Sequence, residues 1–222
     1  MPRRPTRTPI EVTLPELLAF EGEELTAGER YDAVELRGLD LSGSSAPDLR
    51  FLECGLVDCR LDGAVLRGAQ LADSVLADVR ATSLDVAESS WRDVVVRDCR
   101  FGALSAAGST LNRVRFSGGK VDFVNLRGSE LTDVRFEGLR LGEVDLGLAQ
   151  LRRVQFVDCR VDSLNVSGAT LDQLDLSRAT LQVVEGIGSL AGATVSRVQL
   201  TELAPALAEH LGIQVAELSG PR

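Results

Sequence analysis

The sequence has few of the side chains on which most enzymes depend. It contains one histidine, His210, one tyrosine, Tyr31, and one tryptophan. A Ser/His/Asp or Cys/His arrangement would have to use His210, so nucleophilic catalysis is not predicted and we expect no enzyme activity. We also expect no cofactor. Residues 117–120 resemble a phosphate-binding loop, but the leading glycine is absent and Val121 stands in place of serine or threonine.

Long apolar runs are also absent. Residues 1–9 carry three prolines and three arginines and no apolar segment of the kind found in a secretory signal. No run of the sequence approaches the length of a membrane span. The sequence therefore predicts a cytoplasmic protein that does not contact membranes, with a disordered arm over residues 1–9.

Cysteine is scarce, and three of the four cysteines recur in the tripeptide Asp-Cys-Arg. A zinc site needs thiolates that converge at about 2.3 Å from one ion, whereas these cysteines are spread along the chain. We therefore predict no metal site, and interpret each cysteine as a small buried hydrophobic residue in a reducing compartment. The four are Cys54, Cys59, Cys99 and Cys159.

The sequence does contain a repeat of five residues. Every fifth residue from Leu36 to Leu181 is apolar. The residues two places earlier, from Val34 to Val184, are uncharged and no larger than leucine. Two inward residues separated by one outward residue are typical of extended chain, here repeated in units of five. An α-helix would need apolar spacings of three and four, and a continuous strand would alternate without a break.

This double pattern resembles the pentapeptide repeat family, most closely in residues 64–68, 169–173 and 179–183. The resemblance implies an all-β fold, a right-handed quadrilateral β-helix with four five-residue sides, and about seven to eight coils of about twenty residues. A twenty-residue coil also agrees with volume matching in the interior, because positions 69, 89, 109, 129, 149 and 169 are all alanine or serine.

The resemblance and the limits of the repeat together predict three regions. Residues 1–30 should form an N-terminal arm and cap, residues 31–185 the β-helix, and residues 186–222 a last partial coil and a C-terminal helical cap. In the first cap, the alternation of Ile10, Val12 and Leu14 predicts a strand followed by a short turn.

The C-terminal cap should contain a short helix, because Leu203, Leu207 and Leu211 recur at helical spacing. Ser196 or Thr201 could cap its start, and Pro205 favours Thr201 because proline suits a first turn. Gly212 should end the helix, and residues 213–215 look like a final strand. The region resembles the C-terminal caps of stand-alone pentapeptide repeat proteins from high-GC bacteria. It either caps the rod alone or also pairs with its copy in a homodimer.

The charge pattern argues against direct nucleic-acid binding. The net charge is -9. Stacking by twenty residues aligns a column of cations, and aspartates nearby in sequence on both sides predict that the column is neutralised. We name this set the basic column: Arg60, Arg80, Arg100, Lys120, Arg140 and Arg160.

Two functions remain open. The first is a non-catalytic scaffold that binds an unknown protein partner. The alternative, implied by the family resemblance, is a DNA-mimicking modulator or protector of a type II topoisomerase such as gyrase. One outward apolar patch should either receive residues 10–20 or dock a partner, and the helix stripe is a second candidate surface. The candidate interaction residues are Val57, Val75, Ala77, Val95, Leu203, Leu207 and Leu211.

Overall fold

The computed structural model describes residues 10–216. The arm predicted over residues 1–9 lies outside the described residues. The described chain forms a parallel β-solenoid of about nine turns with a helix at its C-terminal end. The repeat had predicted about seven to eight coils. Additional pairing at both ends accounts for the difference, because Leu18 pairs with Val34 and Ala193 with Leu174.

The strands follow one another around the coil, and most are short, although β16 and β17 each continue for 16 residues. They are β1 Leu18–Ala19, β2 Arg30–Asp32, β3 Val34–Arg37, β4 Arg50–Leu52, β5 Gly55–Val57, β6 Ala64–Val65, β7 Gln70–Ala77, β8 Arg80–Asp85, β9 Ser90–Arg97, β10 Arg100–Ser105, β11 Thr110–Ser117, β12 Lys120–Asn125, β13 Glu130–Thr132, β14 Arg135–Glu137, β15 Arg140–Asp145, β16 Gln150–Asn165, β17 Thr170–Glu185 and β18 Ala193–Thr194. A 3₁₀ turn, Ile187–Ser189, and the helix α1, Arg197–His210, complete the described chain.

The register confirms that residues twenty apart lie above one another. Leu36 pairs with Leu56, and Leu56 pairs with Leu76. All three side chains are buried in the interior. Each coil therefore has four walls, which we number by their central inward residues. Wall 1 contains Tyr31, Phe51 and Leu71; wall 2 contains Leu36, Leu56 and Leu76; wall 3 contains Leu41, Leu61 and Ala81; wall 4 contains Ala46, Leu66 and Val86.

The interior is filled by side chains, including stacked aromatic rings. The ring centroids of Phe116 and Phe136 are 5.0 Å apart, and those of Phe136 and Phe156 are 4.6 Å apart. Buried hydroxyls are also satisfied, since Trp91 Nε1 donates to Ser89 Oγ at 2.7 Å and Ser129 Oγ donates to the carbonyl of Ala106 at 2.9 Å. A narrow core of this kind tolerates polar groups only when they are paired.

Most corners between the walls use left-handed backbone, which favours glycine and tolerates aspartate. Asp58 and Asp78, with φ of 53° and 55°, occupy one such corner. Gly119 is the one glycine among the small inward residues between Val34 and Val184, and its backbone explains why glycine stands there. Its φ is 81°, and a Cβ there would overlap the carbonyl oxygen of Cys99.

The strand predicted over residues 10–14 is wrong. Those residues form no strand, and the first pairing occurs in β1, where Leu18 N donates to the carbonyl of Ala33 at 2.9 Å. The open edge of the first coil is a strand edge that β1 can extend, whereas the outer side of a wall offers mainly side chains. Ile10 is nevertheless buried, with 9% of its surface exposed.

The predicted helix start at Thr201 is also wrong, because α1 begins at Arg197 with Ser196 as its N-cap. Ser196 Oγ accepts from Gln199 N at 3.2 Å, and Gln199 Oε1 accepts from Ser196 N at 2.7 Å. The Gln199 amide also donates to the carbonyls of Leu176 and Ala179 at 2.7 and 2.8 Å. The capping box and these two bonds fix the helix onto the last coil, so Pro205 lies inside the helix.

The predicted end of the helix is confirmed at Gly212, which has φ of 69°. Ile213 N donates to the carbonyl of Ala208 at 2.8 Å, as in a Schellman motif. The final strand predicted for residues 213–215 is wrong, because these residues have no strand pairing and are exposed. The Schellman turn ends the helix and leaves these residues in solvent.

Candidate interaction surfaces

Residues 10–216 contain no group of three or more histidine, cysteine, aspartate or glutamate side chains that could hold a metal ion. Burial raises the pKa of the Cys99 thiol to about 12, and it also raises the pKa values of Cys54, Cys59 and Cys159. These thiols are therefore protonated at neutral pH and poor nucleophiles. Within the same residues, α1 is neither long nor apolar enough to cross a bilayer.

The outer side of wall 2 holds the first predicted surface. The register places Val75 beside both Gly55 and Val95, and Val57 beside Ala77. Ala77 is buried and the three valines are half-buried. A Cβ built on Gly55 would lie 3.2 Å from a Leu17 methyl and 3.5 Å from a Leu14 methyl. The N-terminal segment therefore packs against the early part of this patch.

Carboxylates line both edges of that patch. One row stands at the corner between walls 1 and 2, and the other at the corner between walls 2 and 3. Within the part of the chain that the structure describes, only Asp93 among them forms an ion pair, with Arg113. We call them the acidic rows: Glu53, Asp73 and Asp93 in one, and Asp58, Asp78 and Asp98 in the other.

The second predicted surface, on α1, is divided by the structure. Leu203 lines a cavity of about 250 Å³ with Leu181 and Val184, so it faces the last coil. Leu207 is half-buried, and Leu211 is exposed over 68% of its surface. Val198 and Leu200 are also exposed, and the sequence pattern missed them because it started the helix too late. Ile213 and Val215 are exposed because the predicted final strand does not form. We define the helix-tip surface as Val198, Leu200, Leu211, Ile213 and Val215.

The single histidine lies on the inner side of the same helix. His210 packs against Gly188 across an open groove of about 560 Å³ that Ser167, Ser189 and Glu209 also line. Ser189 Oγ accepts a hydrogen bond from Gly168 N at 2.9 Å, which ties the 3₁₀ turn to the preceding coil. This groove is part of the junction between α1 and the solenoid.

The basic column runs along wall 3, as predicted, because Arg80 pairs in register with Arg100 and Arg100 with Lys120. Its predicted neutralisation is only partly correct. Ion pairs join Arg60 to Asp62 at 3.9 Å, Lys120 to Asp122 at 2.6 Å and Arg160 to Asp162 at 3.1 Å.

The remaining three cations of the basic column form no ion pair with any residue between 10 and 216. After each paired cation, the residue two positions later in the sequence is aspartate. After each of the three unpaired cations, the residue at that position is not acidic. The unpaired cations are Arg80, Arg100 and Arg140, followed by Thr82, Gly102 and Gly142.

Comparison with known proteins agrees with the repeat. Residues 109–147 match the family model described as pentapeptide repeats, with 8 copies. No curated protein matches the chain. Among solved structures, full-length QnrB1, a plasmid-mediated fluoroquinolone resistance protein, is 18% identical, covers 89% of this chain and 98% of its own, and has a TM-score of 0.42.

A second similar structure is HetL, a pentapeptide repeat protein involved in heterocyst differentiation regulation from the cyanobacterium Nostoc sp. strain PCC 7120. It is 17% identical, covers 77% of this chain and 91% of its own, and has a TM-score of 0.32. The five-residue spacing of the matched repeats continues from Leu36 to Leu176 in the solenoid described above, with one local irregularity where Val157 pairs with Arg178. This chain therefore carries pentapeptide repeats, matched over residues 109–147.

Proposed function

We propose that the protein is a rigid, non-catalytic scaffold that binds another protein molecule. The observation that carries the proposal is the helix-tip surface. Its apolar side chains are exposed at the end of a rod whose own core is filled, and Val215 is exposed over 79% of its surface. Leu211, Ile213 and Val215 adjoin one another in the chain just past the end of α1, and neighbouring exposed apolar side chains of this kind mark interaction sites. The four free, buried thiols support a reducing, cytoplasmic setting.

The first partner that this surface fits is a second copy of the chain. A two-fold axis at the rod's end would bring each helix-tip surface against its own copy, so one apolar patch would suffice for both subunits. Leu200 and Leu211 would then become buried. The remaining walls of both rods would stay available to other proteins.

Analytical ultracentrifugation at several protein concentrations tests this proposal. Leu211→Glu should shift the protein from dimer to monomer, because it places a charge in the apolar contact. Leu148→Glu is the matched control, since Leu148 is also an exposed leucine but lies on the solenoid body. A wild-type protein that is monomeric at tens of micromolar, or a dimer that Leu211→Glu leaves intact, would exclude self-association through α1. If variants of the helix-tip surface also captured the same host proteins as the wild type, the scaffold proposal would lose its main support.

The acidic rows favour a second candidate, a DNA-mimicking modulator of a type II topoisomerase. Five of the six carboxylates form no ion pair within residues 10–216, so they present negative charge along wall 2. Their rise of about 4.8 Å per coil is regular but wider than the spacing of phosphates, about 3.4 Å per nucleotide along one strand. The rows are short, however, because Arg113 and Arg153 interrupt the corner that follows Asp93.

A gyrase supercoiling assay, with and without a quinolone, separates the two candidates. Mimicry predicts inhibition or protection at micromolar protein, and loss of that effect when Asp58, Asp78 and Asp98 are all changed to asparagine. Asparagine keeps the side-chain shape and tolerates the left-handed corner. No effect of the wild-type protein in either assay would remove the mimicry candidate.

A further inference from the structure

Some cations on wall 3 lack the aspartate with which the other cations of the basic column form an ion pair. Arg60, Lys120 and Arg160 each have an aspartate two residues later on the same wall, and each pairs with it. Thr82 and Gly102 occupy the corresponding positions after Arg80 and Arg100. Arg80 and Arg100 therefore lie in register on adjacent coils, and neither has a carboxylate of residues 10–216 within ion-pair distance.

A cleft lies at the same place. It has a volume of about 310 Å³ and is lined by Arg80, Arg100, Lys120, Thr82 and Gly102, with Asp62 and Asp122 at its two ends. Its floor at Gly102 is bare backbone, and a Cβ there would overlap the carbonyl oxygen of Thr82. Glycine is therefore required by the close approach of two coils, and its missing side chain leaves room between the cations. We call this the wall-3 cleft.

The carboxylates at its ends limit what the cleft can hold. Asp62 accepts from Thr82 N at 2.6 Å, and Asp122 pairs with Lys120 at 2.6 Å. A polynucleotide lying along wall 3 would bring its phosphates against these two carboxylates and against a protein of net charge -9. The two unpaired cations that line the cleft, Arg80 and Arg100, form a window that spans only two coils. A window of this size suits a ligand with two closely spaced anionic groups.

The spacing of the window favours an α-helical acidic segment. Adjacent coils are about 4.8 Å apart. Two glutamates at i and i+3 of an α-helix are separated by about 4.5 Å along the helix axis, whereas alternate residues of a strand are about 6.6 Å apart. An acidic helix lying parallel to the rod therefore matches the two guanidinium groups better than an extended peptide does.

We infer that the wall-3 cleft is a docking site for an acidic helical segment of a partner protein, held by Arg80 and Arg100. This inference rests on the proposed scaffold function and names the surface and the chemistry of the partner. Arginine suits the role because its planar guanidinium group forms two parallel hydrogen bonds with a carboxylate. Lys120 lies at the end of the window and adds positive charge, but its ammonium group is already held by Asp122.

The test uses the full-length protein and a fluorescein-labelled, helix-forming peptide with two glutamates at i and i+3. Fluorescence anisotropy at 50 and 150 mM NaCl measures its Kd. The double substitution Arg80→Ala and Arg100→Ala should weaken binding at least fivefold. Thr82→Asp should weaken it similarly, because it supplies the carboxylate present after Arg60 and leaves every cation in place. The matched control, Arg50→Ala with Arg92→Ala, removes two other exposed arginines on wall 1 that form no ion pair within residues 10–216, and it should leave the Kd unchanged.

Several results would overturn the inference. These are equal binding of the glutamine version of the peptide, an unchanged Kd in the double variant, or tighter binding of a 12-nucleotide single-stranded DNA that depends on the same arginines. Inorganic phosphate that competes as effectively as the peptide would show a small-anion site and would also overturn it. Circular dichroism and thermal unfolding establish that each variant is folded. Self-association depends on α1 instead, so the cleft and the scaffold proposal can fail separately.

Discussion

The two halves of the solenoid use the same corner differently. At the corner between walls 1 and 2, the first half carries Glu53 and Asp73 on successive coils. From Asp93 onward, the second half alternates acid and base, and ion pairs connect Asp93 to Arg113 and Asp133 to Arg153. One backbone geometry therefore places charges at a fixed spacing, and the order of residues along the column determines whether neighbouring coils attract or repel each other.

The interior of wall 2 differs between the halves as well. Leu56 and Leu76 are aliphatic and stack in register, whereas Phe116, Phe136 and Phe156 form a stack of rings with interplanar angles of 8° and 14°. The coil spacing is compatible with both. In the second half, wall 2 thus gains a stack of rings, and the corner between walls 1 and 2 gains ion pairs between coils. In the first half, wall 2 instead receives the N-terminal segment on its outer side.

The largest expected effect comes from the ring stack. Phe136→Ala should lower the free energy of unfolding by about 3 to 5 kcal/mol, because it removes a buried ring that contacts others above and below. Phe136→Leu makes this wall resemble the first half and should cost only about 1 kcal/mol. Urea denaturation monitored by circular dichroism measures both. Equal losses in the two variants would show that the stacked rings add nothing to an aliphatic column.

Alkaline pH should destabilise the solenoid where its two halves meet, because the thiol of Cys99 is buried there. The pKa of Cys99 is raised by burial to about 12, so the folded state keeps its proton when the unfolded chain has lost it. Its contribution is therefore complete below the unfolded pKa and is lost as the pH rises towards the folded one. Between these limits the loss is about 1.4 kcal/mol for each pH unit above about 9.

Comparison with Cys99→Ala isolates this effect. The variant lacks the titrating group, so the difference in unfolding free energy between wild type and variant should shrink steadily from pH 9 to pH 11. Wild-type and variant curves that remain parallel over this range would mean that Cys99 ionises alike in the folded and unfolded chain.

The repeat predicted the register well because the interior is narrow. Each of Leu36, Leu56 and Leu76 must face inward once a coil closes in twenty residues, so a sequence spacing becomes a spatial one. The ends were predicted less well. Ile10 and Leu14 alternate like a strand, but alternation cannot show that no strand edge lies within reach. Likewise, the helix start depends on Gln199, whose bonds to Leu176 and Ala179 exist only after the last coil has formed.

The surface charges show a similar limit. Aspartates flank the basic column on both sides in sequence, but Asp58 and Asp78 occupy a left-handed corner and do not pair with it. Only an aspartate two residues after the cation lies on the same wall and pairs with it, as Asp62 does. Proximity in sequence predicted that every cation would be neutralised, whereas the corner geometry excludes the four aspartates that precede cations of the column. The candidate residues on wall 2 and on α1 stay predictions until binding is measured.

The smallest expected effect tests the contrast in charge directly. Asp133→Asn should lower the free energy of unfolding by about 0.5 kcal/mol, because it weakens a half-exposed pair with Arg153. Asp78→Asn should raise it slightly, since Asp78 stands between Asp58 and Asp98 and the change removes repulsion from both. Asparagine tolerates the left-handed backbone at each corner, so conformational cost cancels between the variants. Both differences should diminish in 1 M NaCl, where exposed charges are screened. If the two substitutions changed stability in the same direction at low salt, the order of charges along a column would not control how the coils hold together.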